Sequence, residues 1–361
     1  MKIVSTSYAN TAEFKDPVAW LQRIDFYTGI LEELAKKYSV ESIEQINYSG
    51  VLEHKGVAYH FLDFKKPVIY FPHRLHRHIK ELKPDIVFVN GIIFPLQLLQ
   101  LRWKLGGGVK IILLHRGEKP YTGLKKYLQM LADRYVHAYL FTSAGFGAQW
   151  TVNGNISDQR KIHEVIQASS VFTAAENNAA VKEVDGDPVF LWVGRLDANK
   201  DPLTVVKAFV EFLSFQPNAS LYMIYQEDEL LSEVKKLIIS NSNAVKLIGK
   251  VPHRDLQDWY NSVRFIISGS HHEGSGIAVC EAMSCGCIPL LTDIVSFRKM
   301  TGPGACGLLY EPGNTAALLK VLVQSMRMDI QAERKRTLTQ FKNELSFEAI
   351  AKKIGTVIEA V

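Results

Sequence analysis

The chain has 361 residues, enough for two domains of about 150–200 residues each, and its 47% hydrophobic and 22% charged content excludes a disordered or low-complexity polymer. The net charge of +5 is unevenly spread: residues 1–150 carry 20 Lys/Arg against 13 Asp/Glu, a balance of +7, which leaves 22 against 24, or −2, for the remainder. No apolar run reaches the roughly 18–20 residues that a bilayer crossing requires, and Met1–Asn10 has no signal-peptide core; the expected location is cytoplasmic, with a peripheral place at the inner face of the membrane as the variant that a basic first half suggests.

The first strand is expected over Lys2–Thr6, followed by the polar loop Ser7–Lys15 and a helix over Trp20–Tyr38 whose Leu21, Ile24, Leu31 and Leu34 share one face. Pro72–Lys80 is the densest basic stretch. As a helix it would surround Leu75 and Ile79 with cationic side chains, which reads either as a solvated face or as a contact for a membrane or an anionic acceptor. Strands are then expected over Asp85–Val89, Lys110–Leu114 and Ala138–Thr142, with Gly106-Gly107-Gly108 as a turn before the second of these. His115 stands directly after the strand Lys110–Leu114, followed by Arg116, Glu118 and Lys119.

A domain boundary is expected within residues 165–187, an aperiodic stretch rich in Ala, Asn, Glu and Asp; Asp185-Gly186-Asp187 inside it reads as a turn, not as a metal-binding acid pair. A second series of strands follows over Pro188–Gly194, Ser220–Tyr225, Ala244–Ile248, Val263–Ser268, Cys287–Leu291 and Gly307–Tyr310. Asp201-Pro202 reads as N-cap and first helical residue, with Leu203, Val206, Val210 and Leu213 as the buried stripe. Strands apolar on both faces, separated by helices, imply parallel sheets covered on both sides. The fold class is therefore α/β, two doubly wound domains: residues 1–165, residues 166–345, and a terminal helix over 346–361 that returns to the first domain. The four cysteines, Cys280, Cys285, Cys287 and Cys306, lack the partners of a zinc site and are expected reduced and structural.

Two segments carry the chemistry. In Phe190–Pro202 a buried strand ends at Gly194 and the loop after it presents Arg195 and Lys200. Ligands of open α/β sheets bind at the carboxyl ends of strands, and these cations suit a diphosphate. In Ser268–Met283 a strand runs into a small-residue loop containing Gly274, Ser275 and Gly276, and a helix opens near Gly276, a ready anion site at its unpaired N–H groups. Glu273 precedes the helix and Glu281 lies about one turn inside it, so that two carboxylates bracket the loop and can accept several hydroxyl hydrogen bonds.

Glu273 and Glu281, in the order E-G-S-G-I-A-V-C-E, resemble the E-x7-E signature of retaining glycosyltransferases with the GT-B fold, in particular glycosyltransferase family 4 (group 1). V-G-R-L-D-A-N-K-D-P around Arg195 and Lys200 looks like that family's donor-phosphate segment, and Ile248–Pro252, Gly286–Leu290 and Gly307–Asn314 also agree; the likeness covers about residues 188–325. The resemblance implies two Rossmann-like domains facing a central cleft, the first on the acceptor side and the second binding the nucleotide sugar. It implies that Arg195 and Lys200 neutralise the diphosphate, that Gly194, Gly274, Ser275, Gly276 and Ile277 approach the donor closely, that Glu273 binds the sugar and Glu281 the ribose, that Val251 contacts the base, and that His115 faces the sugar near its reacting carbon. It further implies a UDP-, GDP- or ADP-sugar as donor substrate, no cofactor and no divalent metal, a saccharide or lipid-linked acceptor in polysaccharide synthesis, and no nucleic-acid partner. The first half departs from the family: Ser7–Lys15 lacks the Gly-Gly loop many relatives carry, and Val89-Asn90-Gly91 stands where many have His-Gly. Rival readings are a nucleotide-sugar epimerase or phosphorylase on the same fold, and a non-catalytic sugar-nucleotide-binding subunit.

Overall fold

The computed structural model of the protein describes residues 1–9, 11–63, 70–176 and 182–361; the loop Ser7–Lys15 and the linker 165–187 therefore fall partly outside the described residues, at Asn10 and at residues 177–181. The chain divides into two units, one formed by Met1–Ser169 with Phe347–Val361 and the other by Ser170–Ser346.

The first unit is built on β1 (Lys2–Ser7), β2 (Ser39–Glu44), β3 (Gly50–His54), β4 (Val57–Phe61), β5 (Ile86–Asn90), β6 (Lys110–Leu114), β7 (Ala138–Phe141) and β8 (Ile162–Glu164). Their order in the sheet is β3-β4-β2-β1-β5-β6-β7-β8, parallel except for the β3–β4 hairpin. The chain winds outward from β1 on one side and from β5 on the other, so the reversal of winding lies between these two strands. The expected helix Trp20–Tyr38 is two helices, Pro17–Arg23 and Asp25–Ala35, broken at Ile24; Asp16 caps the first by accepting from the Val18 amide at 2.9 Å. The terminal helix Phe347–Ala360 packs against Asp25–Ala35 within this unit, and the Phe347 ring lies so close over Gly29 that a Cβ there would meet it at 2.6 Å.

The second unit carries β9 (Val189–Gly194), β10 (Ser220–Tyr225), β11 (Val245–Gly249), β12 (Phe265–Ser268), β13 (Ile288–Thr292) and β14 (Leu308–Tyr310), all parallel, in the order β11-β10-β9-β12-β13-β14. Successive side chains of β9 serve opposite faces: Phe190 and Trp192 join Phe209, Phe212 and Phe265 on one side, while Val189 and Leu191 join Tyr260, Ile266 and Cys287 on the other. That is why the strand is apolar at every position. The helix Pro202–Phe212 starts where expected, with Asp201 accepting from the Thr204 amide at 3.1 Å, but its core face is Val205, Val206, Phe209 and Phe212. Leu203, Val210 and Leu213 flank it half-buried, because the two phenyl rings fill the space under the sheet. All four cysteines are buried and free of disulfides, and burial pushes the Cys285 and Cys306 thiols up to about 12, so the thiolate form needed for reactivity is suppressed. No helix of the described residues is long and apolar enough to cross a membrane.

One buried histidine sets a pH limit on the first unit. His76 is 2% exposed, its Nε2 lies 3.0 Å from the Tyr8 hydroxyl, and burial, aided by His73 and Lys104, lowers its pKa to about 4. An unfolded chain binds a proton there below about pH 6.5 while the folded chain does not until about pH 4, so stability falls as pH drops through that window. The loss should approach roughly 3 kcal/mol at the lower end. Urea unfolding at pH 7.5 and 5 checks this: His76→Gln should flatten part of the pH dependence, and an unchanged slope in that variant would remove His76 as its source.

Candidate functional site

In the second unit the winding reverses between β9 and β12, and the loops leaving their carboxyl ends lie against each other. Gly269 makes the contact possible: a Cβ there would meet the Asp201 carbonyl oxygen at 2.9 Å, the Lys200 carbonyl oxygen at 3.0 Å and Val205 at 3.1 Å. Backbone atoms on one side cannot yield, so only glycine keeps the loops together. The His271 amide donates to the Asn199 carbonyl at 2.8 Å, Asn199 Nδ2 donates to the His272 carbonyl at 3.1 Å, and His271 Nε2 lies 3.2 Å from Asp201 Oδ2.

This joining places Lys200 against Glu273. The ammonium and the carboxylate form a mostly buried ion pair, and Ser270 Oγ donates to the same Glu273 oxygen at 2.8 Å. Lys200 is itself held by its amide, which donates to Asp197 Oδ1 at 2.9 Å. Arg195 is half-exposed and held by other acids, Asp197 Oδ2 at 3.1 Å and Glu227 Oε2 at 3.9 Å. The structure thus unites Lys200 with Glu273 and sets Arg195 on a separate pair of carboxylates.

After Glu273, Gly274 and Ser275 are half-buried and the helix Ile277–Ser284 begins. Its N-cap is Gly276 in the left-handed region at φ 54°, with Phe297 and Met300 closing the space where a Cβ would sit. No side chain caps this helix, whereas Asp201, Ser143 and Asn314 each cap theirs. Its first-turn N–H groups and positive dipole end therefore face the loop with no side-chain cap among the described residues.

Glu281 lies inside that helix and is 4% exposed. Tyr260 donates to its Oε2 at 3.1 Å, and His253 Nε2 lies 2.6 Å from its Oε1. Burial first, then the neighbouring carboxylate, pushes the Tyr260 hydroxyl well above its usual range, so it stays a donor to Glu281. His253 is half-exposed, tilted over Phe172 at 5.0 Å between ring centroids, and follows Val251 and Pro252 directly in the chain; Val251 packs against the same apolar layer as Phe172 and Tyr260. Sequence reasoning missed His253 and Tyr260, although it singled out the adjacent segment Ile248–Pro252.

In the first unit the loop after β6 departs from expectation. His115 is 1% exposed, enclosed by Phe141, Phe146 and Trp150, with Nε2 2.7 Å from the Glu118 carbonyl oxygen. An orientation open to a sugar is not what the ring adopts; the aromatic cage and the carbonyl hold it inside. Open to the carboxyl ends of β1, β5 and β6 instead is a polar network that the sequence did not reveal. Asn90 Nδ2 donates to Ser5 Oγ at 3.2 Å and Tyr27 Oη at 3.1 Å, while its Oδ1 accepts from Arg116. Arg116 also donates to the Gln167 carbonyl at 3.1 Å and lies over the Tyr27 ring at 4.7 Å. Burial lowers the Arg116 pKa, offset in part by Tyr27, Glu118 and Glu44. Glu118 fixes the loop by accepting from the Ile92 amide at 3.0 Å and the Arg116 amide at 2.6 Å.

Residues 173–340 match the family model described as glycosyl transferases group 1. Among characterised proteins the chain is 25% identical over 265 residues to a GDP-mannose:cellobiosyl-diphosphopolyprenol alpha-mannosyltransferase of Xanthomonas oryzae pv. oryzae, covering 70% of this chain and 68% of that one. A protein of the same description from Komagataeibacter xylinus is 30% identical over 253 residues, 64% of this chain and 60% of the other. Among solved structures, Anabaena HepE in complex with UDP aligns over 100% of both chains with a TM-score of 0.75 at 13% identity, and a glycosyltransferase of Rickettsia africae over 99% of this chain and 98% of that one with a TM-score of 0.73 at 16% identity.

Proposed function

We propose that this chain, which belongs to the group 1 glycosyl transferases and has the GT-B fold, moves a mannosyl or related hexosyl group from a nucleotide diphospho-sugar to a saccharide or lipid-linked acceptor with retention of anomeric configuration and without a divalent metal. The observation that carries the reading is the Lys200–Glu273 pair standing beside the uncapped N-terminus of Ile277–Ser284. A cation, a carboxylate and a row of free N–H groups at one switch point are the parts needed to hold an anionic diphosphate and the polyol attached to it.

In this reading Lys200 and Arg195 neutralise the diphosphate as it departs, and the amides of Gly274, Ser275, Gly276 and Ile277 receive phosphate oxygens. Glu273 then accepts from sugar hydroxyls, with Ser270 keeping its carboxylate in place when Lys200 turns to phosphate. Glu281 receives the ribose hydroxyls, Val251 meets the base, and Gly194 lets the donor approach the end of β9. Retention follows from attack on the face the diphosphate leaves, a phosphate oxygen taking the acceptor proton; Glu273, ion-paired and hydrogen-bonded, suits sugar binding better than nucleophilic attack. His115, enclosed as it is, acts by bracing the loop that carries Arg116 and Glu118. The first unit supplies the acceptor residues.

The names of the relatives make GDP-mannose the first donor to try. A donor at about 100 times its Kd should stabilise the fold by about 2.7 kcal/mol, a rise of a few degrees in melting temperature, against no rise with mannose alone. Incubating the protein with GDP-mannose and a diphosphopolyprenol-linked saccharide, with EDTA present, should yield an α-linked mannoside and GDP. A β-linked product, a free epimerised sugar or a requirement for added phosphate would each overturn the reading.

A further inference from the structure

Three neighbouring helices of the first unit, His73–Glu81, Pro95–Leu105 and Gly123–Asp133, pack side by side, and the last of them is turned the wrong way for water. In Gly123–Asp133 two polar residues point inward. Gln129 and Asp133 are buried, Gln129 Nε2 donating to Tyr139 Oη at 3.2 Å and Tyr139 Oη to Asp133 Oδ1 at 3.0 Å, while the Ser157 amide donates to Asp133 Oδ2 at 3.1 Å and Lys161 Nζ to Oδ1 at 3.2 Å. Facing out, at i, i+3 and i+7, are Leu124, Tyr127 and Leu131, with Met130 beside them; Leu124 is 76% exposed and Tyr127 65%. The neighbouring helix Pro95–Leu105 turns Leu98 and Leu101 inward, but it also buries Arg102, whose guanidinium donates to the Val109 carbonyl at 2.8 Å, and leaves Trp103 84% exposed. The inward hydrogen bonds pin both helices, so the apolar faces cannot rotate under cover without stranding buried polar groups.

Cations border these faces. Arg74, Arg77 and Lys80 form the exposed side of His73–Glu81, whose Leu75 and Ile79 are fully buried; Lys125 and Arg134 are exposed beside Leu124 and Leu131. The three helices contain only two acids, Glu81 and Asp133, and Asp133 faces inward. Aromatic and aliphatic side chains of this size, rimmed by Lys and Arg with almost no opposing charge, match the boundary of an anionic bilayer, where rings and alkyl chains enter the acyl region and cations meet headgroups. A water-facing helix would place Gln129 and Asp133 outside and Leu124 and Leu131 inside.

We propose that the outer faces of Pro95–Leu105 and Gly123–Asp133, flanked by Arg74, Arg77 and Lys80, dock the protein on the surface of an anionic lipid bilayer. The surface lies wholly within the first unit and its use does not depend on which sugar, if any, the second unit binds.

The test is co-sedimentation of the full chain with vesicles, without donor or acceptor. Binding is expected to phosphatidylglycerol–phosphatidylcholine vesicles, to fall at least tenfold between 0.1 and 0.5 M salt as about one Debye length shortens to half, and to be far lower on pure phosphatidylcholine. Leu124→Ser/Tyr127→Ser/Leu131→Ser should cut anionic-vesicle affinity about 1,000-fold, on the order of tenfold for each of the three large apolar groups no longer inserted. Arg74→Glu/Arg77→Glu should weaken it mainly at low salt. Because all five side chains are exposed, both variants should melt like the parent. Failure of the parent chain to sediment with anionic vesicles overturns the proposal. So does wild-type affinity in the triple variant, or a parent dimer in sedimentation velocity that the triple variant turns into monomer while lipid binding persists.

Discussion

Lys200→Ala should lower kcat about 100- to 1,000-fold with the chain still folded, and Arg195→Ala should fall in the same range, as expected for groups that stabilise charge developing on a leaving diphosphate. The two losses have different structural backgrounds. Arg195 is half-exposed on Asp197 and Glu227, so its removal frees the exposed Glu227 and leaves the mostly buried Asp197 with the Lys200 amide, which costs little stability. Lys200 neutralises Glu273 in a mostly enclosed position, so its removal leaves a carboxylate supported by Ser270 alone, with excess negative charge where the diphosphate must sit. Lys200→Ala should therefore raise the donor KM as well as lower kcat, whereas Arg195→Ala should act more on kcat. Lys200→Arg keeps the charge but not the compact ammonium that fits between Glu273 and the loop, and should recover only part of the rate. Steady-state kinetics paired with thermal melts check each of these. Near-parental kcat in both alanine variants would remove the second unit's switch point as the place of chemistry.

How much of this was legible in the sequence depends on what each residue buries. The strands β1, β5, β6, β7 and all six of the second sheet were readable, within a residue or two, because most are apolar on both faces and end in a polar or glycine loop. β2, β3, β4 and β8 were not. β2 reads Ser-Val-Glu-Ser-Ile-Glu, and beside the local Ser42 hydroxyl on Glu44 its acids are matched by residues far away in the chain: Glu41 by Lys2 at 2.6 Å and His60 at 2.8 Å, Glu44 by Trp20 Nε1 at 3.0 Å. No local window sees such pairing. The same limit explains the helix Gly123–Asp133, where Leu124, Tyr127 and Leu131 form an apolar stripe that any periodicity argument would turn inward. The structure turns Gln129 and Asp133 inward because Tyr139, Ser157 and Lys161 wait there. At the second unit's site, strand ends and spacing singled out these acids and cations but not their grouping. That Lys200 belongs with Glu273, and Arg195 with Asp197, depends on Gly269 letting two loops touch. His115 shows the converse: the family resemblance implied a ring facing the sugar, and Phe141, Phe146 and Trp150 enclose it.

Glu281→Ala should raise the donor KM about 30- to 100-fold with a much smaller change in kcat, since a group that binds ribose does so equally in the ground and transition states. The magnitude follows from a buried charged hydrogen-bond acceptor, worth roughly 2–3 kcal/mol to the hydroxyls it receives. The same substitution strands the Tyr260 hydroxyl in an apolar layer and should cost about 1–3 kcal/mol of stability. Fold and binding effects can be separated. Tyr260→Phe removes the inner donor without touching the carboxylate, so it should alter the KM only severalfold. His253→Ala removes the outer contact at 2.6 Å and opens Oε1 to the ligand. If Oε1 is the atom that receives the ribose, His253 must yield when the donor arrives, and its removal should leave the donor KM unchanged or lower it. If instead His253 stays and orients the carboxylate, its removal should raise KM in step with Glu281→Ala. Calorimetric titration of GDP or UDP into the three variants distinguishes these outcomes. Wild-type affinity in Glu281→Ala would mean that this acid belongs to the fold alone, as a buried partner that Tyr260 requires, and that the nucleoside is held elsewhere.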